Sequence, residues 1–456
     1  MSSTTVSRIS PEWLAQRIAD TSAVGIGEAV AALIRSGDVE RGAQLPTIRD
    51  LAKATGTSVG TVLTAWNSLR ESGLVETHRR GGTTVALESE AALPGPPFSD
   101  WSAIDLSQSA PDISLQPELG AALLSTLDSK NLNVFGREYM TERLLAAVTP
   151  TWPFEPEAWV TAGGGTEALL LATAAAAPPG SVVAVDEPVG PGFLDTLREL
   201  ELTAIGVAAD DEGPTVDSLR AALAQHPVAF VFQPGAPFAV SHQVSPARAE
   251  QLADVLRYHS EPVWIVEDDS IGPLGVAESP SLGAYLPRQV IRIRSYCKAF
   301  GIDVRTSVLA GSRELIERTI ALRSHGVGSN SRILQDALAY LIDSDDAAAS
   351  VALAQSTYAA RRAALTTALR REGLRVRSGP ESLVVWVEVN DETDALLTLA
   401  RKGISVGAGS KSFVTPPSTP LLRISATQLP DDEALMAQLA RAIAEASSAS
   451  NREYFD

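Results

Sequence analysis

"QVIRIRSYCKAFGIDVRTSVLAG", Gln289 to Gly311, contains the residue on which the reading of the chain turns. Its first half alternates β-branched and polar residues and reads as a strand. Lys298 falls just past that strand's carboxyl end, ahead of a second short apolar run. The chain has only five lysines against thirty-two arginines, so a bare need for positive charge here would ordinarily be met by arginine. A lysine suits a task that requires an amine able to lose its proton.

Outward from this stretch, "SVVAVDEP" from Ser181, "VAFVFQP" from Val228 and "VWIVEDD" from Val263 are short apolar runs that end in polar residues. Successive starts leave room for a crossover helix, which implies an α/β domain with a mostly parallel sheet covered by helices on both faces. Ligands collect at the carboxyl ends of such strands. Lys298 is therefore grouped with Asp186, Glu187, Gln233, Glu267, Asp268, Asp269 and Arg305. Earlier, "VTAGGGTEALLL" from Val160 sets Gly163, Gly164, Gly165 and Thr166 ahead of an apolar helix. Free backbone amides at a helix start suit an anion. Singly these residues read equally well as a loop lysine, a strand-end acid and an ion-pair arginine; together they point to a site.

The 456 residues allow two or three domains. No stretch approaches the roughly 18 consecutive apolar residues of a membrane span, and the first residues lack the apolar core of a signal peptide. One cysteine, Cys297, excludes an internal disulfide, and no Cys/His cluster has metal spacing. The expectation is a cytoplasmic protein without membrane or metal. The net charge of −18 argues against a nucleic-acid partner until the chain is divided: residues 1–86 carry nine Lys/Arg against eight Asp/Glu, so the acidity lies in the remainder.

Apolar residues at 26, 29, 30, 33 and 34 make a helical stripe. Gly37 stops that helix, Pro46-Thr47 opens a second that ends at Gly56, and Ser58 caps a third with Val62, Ala65, Trp66 and Leu69 on its buried side. "LVET" and "TTVA" then flank "HRRGG", a hairpin with an arginine tip. The pattern is a winged helix-turn-helix over residues 1–86, followed by a proline-rich linker over 87–104 and a large domain over 105–456, with a smaller C-terminal α+β subdomain at about 373–450.

The wording "IRSGDVERGAQLPTIRDLAKATGTSVGTVLTAWNSLRESGLVE" resembles the DNA-binding domain of GntR-family bacterial regulators. The resemblance implies that Arg49 grips phosphate, that Thr57, Ser58 and Thr61 enter the major groove, and that the wing, with His78, Arg79, Arg80 and Gly82, reaches the minor groove of a double-stranded operator. Val59 stands where relatives usually carry arginine, so base readout should differ there.

The large domain resembles the pyridoxal-phosphate aminotransferases, and the two parts together resemble the MocR/GabR subfamily. The resemblance implies that Lys298 forms an imine with pyridoxal 5'-phosphate and that Asp268 pairs with the pyridine nitrogen. It further implies that Gly164, Gly165, Thr166 and Arg305 hold the phosphate, that Arg423 in "LLRISAT" takes a ligand carboxylate, and that the chain is a homodimer.

Three expected ring contacts are replaced: an aromatic by Gly190, an amide by Pro237 and a tyrosine by Ser270. Each such contact contributes roughly 0.5–1.5 kcal/mol. The expected function is a transcriptional regulator whose aminotransferase-like domain senses an amino compound or amino acid and is poorly equipped for turnover. A cofactor-free regulator that binds an acidic effector and an active aminotransferase are the alternatives. Effector, operator and direction of regulation are not legible.

Overall fold

The computed structural model describes residues 8–18, 20–36, 38–39, 42–71, 74–78, 82–85, 104–127, 129, 131–324, 326 and 328–448. They fall into two units, Met1–Ser99 and Asp100–Asp456.

The first unit contains α1 (Pro11–Ala15), α2 (Ala23–Ser36), α3 (Ile48–Thr55) and α4 (Val59–Glu71). The cap residues place the boundaries of α3 and α4. Thr47 accepts a hydrogen bond from the Asp50 amide and Gly56 closes α3 in the left-handed conformation, while Ser58 Oγ accepts from the Thr61 amide at 3.0 Å. Ile26, Val30, Leu51, Val62 and Trp66 are buried together in one core. α1 was not foreseen, although Ser10 caps it and Pro11 occupies its first turn, a recognisable start signal. β1 (Val75–His78) pairs antiparallel with β2 (Gly82–Val85). Arg79 and Arg80 lie outside the described residues, as does the side chain of His78.

In the second unit the strands are β3 (Ile104–Leu106), β4 (Ala158–Ala162), β5 (Val182–Asp186), β6 (Thr203–Val207), β7 (Ala209–Asp210), β8 (Gly213–Pro214), β9 (Ala229–Phe232), β10 (Trp264–Asp269), β11 (Val290–Ser295), β12 (Ser307–Gly311), β13 (Val376–Arg377), β14 (Val384–Glu388), β15 (Ile404–Ala408) and β16 (Leu421–Ser425). The large sheet has the order β4-β12-β11-β10-β9-β5-β6. Its strands are parallel except β12, which runs antiparallel to both β11 and β4. Alternate residues serve opposite faces. Val183, Val185 and Val231 pack with Leu171 and Leu315 on one side, and Ala184, Phe230 and Ile265 pack with Leu219 and Leu252 on the other.

One connection departs from the sequence expectation. Between β10 and β11 the chain makes the 3-10 turns Gly272–Leu274 and Leu282–Ala284, where the spacing left room for a crossover helix. Pro273, Pro280 and Pro287 with Gly272, Gly275 and Gly283 exclude a continuous helix there. The second sheet has the order β13-β14-β16-β15-β3. Ile104, assigned by composition to the linker, opens β3 and pairs with Ile404 of β15.

Candidate functional site

At the carboxyl ends of β9, β10 and β11 lies a cavity of about 590 Å³, walled by Gly164, Gly165, Gln233, Asp268, Lys298 and Arg305 among others. β11 ends at Ser295, and Lys298 sits in the short helix Cys297–Phe300 that follows. Its Nζ donates to the Ser270 carbonyl at 3.1 Å. Asp268 is on β10 and is buried. Burial is the main reason that its carboxyl is pushed up to about 6; the Lys298 charge opposes the shift, Asp269 adds to it, and a hydrogen bond with Ser270 lowers it. A buried acid facing one amine has the setting of a functional group rather than of a stabilising one.

The shift has a signed consequence for the ligand-free protein. Below about pH 4 the carboxyl is neutral in both folded and unfolded chains; from about pH 4 to 6 only the unfolded chain ionises, so stability falls as pH rises. Asp268→Asn is expected to remove this loss, gaining about 3 kcal/mol at pH 7 and nothing at pH 3.5. Urea unfolding of both proteins across that range checks it; a gain independent of pH would contradict the assigned titration.

The neighbouring acids were grouped with Asp268 by sequence, and the pleat separates them. Glu267 and Asp269 bind Arg292, which is fully buried: Nη1 lies 3.0 Å from Glu267 Oε2 and Nη2 lies 2.9 Å from Asp269 Oδ2. Arg294 Nε donates to the same Asp269 oxygen at 2.9 Å. Burial alone would raise the Asp269 carboxyl, but Arg292 and Arg294 overcome it and hold the group below its usual range. Two of the three acids therefore anchor strands, and Asp268 alone of the three lines the cavity.

β4 ends at Ala162; Gly163 and Gly164 follow, and the helix Gly165–Ala176 starts from them at the cavity wall. Gly164 has φ +125°, a conformation that favours glycine. A Cβ on Gly165 would come within 2.9 Å of Ser295 Oγ, so the turn lies tight against the end of β11. Thr166 is exposed in the first helical turn, and Gly163 N donates to the Glu167 carboxylate. Arg305, which also lines the cavity, is exposed and in the left-handed conformation at φ +43°. The first-turn amides of a helix are donors suited to an anion, and they border the same cavity as the Arg305 guanidinium.

Arg423 stands apart. It lies on β16, 4% exposed, with Nη1 donating to Ser412 Oγ at 2.8 Å and Nη2 to the Ser107 carbonyl at 3.1 Å. It is not on the cavity wall, although Gln108, next to its Ser107 partner, is. Burial pulls its guanidinium down to about 10, and among the described residues no carboxylate forms an ion pair with it.

In the first unit, Arg49 is exposed at the start of α3, and Ser58 and Thr61 lie at the start of α4 with their hydroxyls 2.9 Å apart. The Thr57 hydroxyl is 2.9 Å from that of Thr55. Gly82, at φ +76°, opens β2.

Residues 103–443 match the family of class I and II aminotransferases, and residues 23–85 match the gntR family of bacterial regulatory proteins. The chain belongs to the class I and II aminotransferase family. With its GntR domain it is a DNA-binding transcriptional regulator of MocR/GabR type. It is 26% identical over 412 residues to the vitamin B6 salvage pathway transcriptional repressor PtsJ of Salmonella typhimurium, covering 89% of this chain and 93% of that one. It is also 26% identical over 430 residues to the HTH-type transcriptional regulator YjiR of Escherichia coli, covering 84% and 89%. The α-aminoadipate aminotransferase LysN of Thermus thermophilus, solved with N-(5'-phosphopyridoxyl)-L-leucine, shares the fold at TM-score 0.67 and 19% identity, over 75% of this chain and 92% of that one. The aminotransferase fold is thus one that holds pyridoxal phosphate.

In this regulator, the replaced ring contacts have structural counterparts that sequence reading missed. A Cβ on Gly190 would come within 2.9 Å of Phe238 Cε2. Phe238 is 6% exposed, packs with Val384 and Trp386, and lines the cavity. An aromatic ring therefore occupies the space beside residue 190, supplied from the loop after β9. The Pro237 carbonyl accepts from the Leu383 amide at 2.8 Å and so ties that loop to the second sheet. Gln233 Oε1 is buried without a hydrogen-bond partner among the described residues, and both Gln233 and Ser270 line the cavity. Gln233 Nε2 is occupied by the Asp186 and Pro188 carbonyls. Gly190→Tyr is expected to overpack against Phe238 and cost about 1–3 kcal/mol. Adding Phe238→Ala should recover most of that loss in thermal melts, whereas additive losses would place the two side chains apart.

Proposed function

We propose that the second unit holds pyridoxal 5'-phosphate and uses it to sense an amino compound that carries a carboxylate. The observation that carries this reading is the convergence of the Lys298 amine and the buried Asp268 carboxyl on one cavity headed by a helix N-terminus, in a chain that also carries a DNA-binding unit. The cavity residues fit the group. Lys298 offers the amine for its aldehyde, Asp268 an acid for its ring nitrogen, and Gly164, Gly165, Thr166 and Arg305 the donors for its phosphate. The buried unpaired oxygen of Gln233 is ready for a further polar contact. When bound, the group supplies an aldehyde carbon that exchanges one amine for another.

Arg423 is the candidate carboxylate anchor, because it is a buried cation without an acidic partner among the described residues; a ligand reaching it would replace the Ser107 carbonyl as acceptor. The loss of ring contacts at Gly190, Pro237 and Ser270 favours sensing over turnover. Incubation with pyridoxal phosphate is expected to give a visible absorption band that fades on extensive dialysis. The absence of any band supports the cofactor-free alternative, and amino transfer at an enzyme-like rate supports the catalytic one.

A second reading rests on the same weakened contacts. A reversibly held cofactor is itself suited to be the signal, and the Salmonella relative is named as a repressor of vitamin B6 salvage. In both readings the protein acts in the cytoplasm as a homodimer on a two-half-site operator. Among the described residues no helix is long and apolar enough to cross a membrane.

Arg49 is assigned to phosphate. Each phosphate contact contributes roughly 0.9 to the slope of log affinity against log salt, so Arg49→Ala should lower that slope by about one unit per site while weakening all duplexes alike. A slope equal to that of the unaltered protein removes Arg49 from the interface.

A further inference from the structure

The exposed face of α4 carries two large apolar side chains near its start, where a helix that reads bases usually carries hydrogen-bonding ones. Val59 and Leu63, one helical turn apart, are 50% and 45% exposed, and on a helix residues four apart lie side by side. From Ser58 to Ser68 there is no charged residue; Arg70 and Glu71 come only at the far end.

The polar groups near these two residues are already engaged. Ser58 Oγ caps the helix through the Thr61 amide at 3.0 Å and lies 2.9 Å from Thr61 Oγ1. Thr64 Oγ1 donates to the Gly60 carbonyl at 3.0 Å, and Asn67 Oδ1 accepts from Arg70 at 2.9 Å. This leaves two branched apolar side chains, flanked by Gly60, which adds no bulk between them. Arg49 and Lys53 on α3 supply nearby positive charge for the DNA backbone but lie on a different helix.

In the major groove, the base-edge group that such side chains can recognise is the thymine 5-methyl, while guanine, adenine and cytosine edges are read mainly by hydrogen bonds. We propose that Val59 and Leu63 read thymine methyl groups in the operator half-sites. The caps at Ser58 and Thr61 set the pitch of the helix and add little base discrimination of their own. This rests on α4 being the helix that enters the major groove.

The test begins by selecting duplexes from a random pool with the full chain, in the presence and absence of pyridoxal phosphate, and then rebuilding the selected operator with deoxyuridine at each enriched thymine. The replacement removes only the methyl and keeps every hydrogen bond. The unaltered protein should lose about fourfold in affinity for each contacted methyl. The Val59→Ala/Leu63→Ala double variant should bind thymine and deoxyuridine operators equally. Val59→Arg should shift the selected base opposite it toward guanine, which a guanidinium engages through O6 and N7. A selected operator without enriched thymine, or one indifferent to deoxyuridine, overturns the proposal and leaves DNA binding intact. Failure to select any duplex contradicts the placement of α4 in the groove and the proposal with it.

Discussion

Reduction with borohydride in the presence of pyridoxal phosphate is expected to leave a pyridoxyl group on the peptide that contains Lys298, and Lys298→Ala should abolish that labelling. The chain has few lysines to compete. Lys53 lies in the first unit, and Lys402 is held by Glu445. Lys298 lies on the cavity wall, with its amine held by only the Ser270 carbonyl among the described residues and with the Asp268 carboxyl close by. The Lys298→Ala variant should fold normally, since the side chain makes no ion pair that another element depends on. Label retained on the variant at the unaltered level would remove Lys298 from the site. Label lost together with the cooperative melt would mean that the lysine is structural.

Arg292→Met should cost about 3–5 kcal/mol at neutral pH, because it leaves two buried carboxylates without their shared cation. Glu267 would keep Ser281 Oγ at 2.8 Å and the backbone donors of Leu282 and Gly283, and Asp269 would keep Arg294. These partners were arranged around a guanidinium and do not replace its charge. The loss should shrink toward pH 4, where the stranded acids take up protons. β10 and β11 are held in register with Asp268 opposite Ile293, so the variant should also weaken cofactor retention. A loss below about 1 kcal/mol in urea unfolding would show that the network is decorative.

Much of the fold is written in short-range signals. Thr47 and Gly56 bound α3 because a hydroxyl cap and a left-handed glycine satisfy helix ends wherever they occur. The polar ends of the apolar runs mark the strand ends that wall the cavity, so the sequence alone groups Asp268 with Lys298. What escaped depends on distant partners. "TSVLAG" reads as a strand, but its antiparallel direction between β4 and β11 is set by the tight connection through Ile302–Val304. The period of a strand separates Asp268 from Glu267 and Asp269, yet only the register with β11 shows that Arg292 waits for them.

The site was least legible where one residue substitutes for another's space. Gly190 read as a loss, and the ring of Phe238 beside it could not be seen from the sequence. Arg423 was named from its motif, but its concealment behind Ser107 follows from β3 joining the second sheet. Val59 was recognised as a departure, while the exposure of Leu63 beside it needed the packing of α4 on α2 and α3.

Operator affinity of the full chain, measured while pyridoxal phosphate and then individual amino acids are added, tests the regulator account most directly. A ligand can shift the DNA-bound arrangement only through differential affinity. A change on adding an amino acid to the cofactor-loaded protein, absent in Lys298→Ala, is the expected result; a change with the cofactor alone selects the second reading. Affinity that stays constant in every case, while the absorption band shows the cavity filled, would contradict the claim that this pocket controls DNA binding.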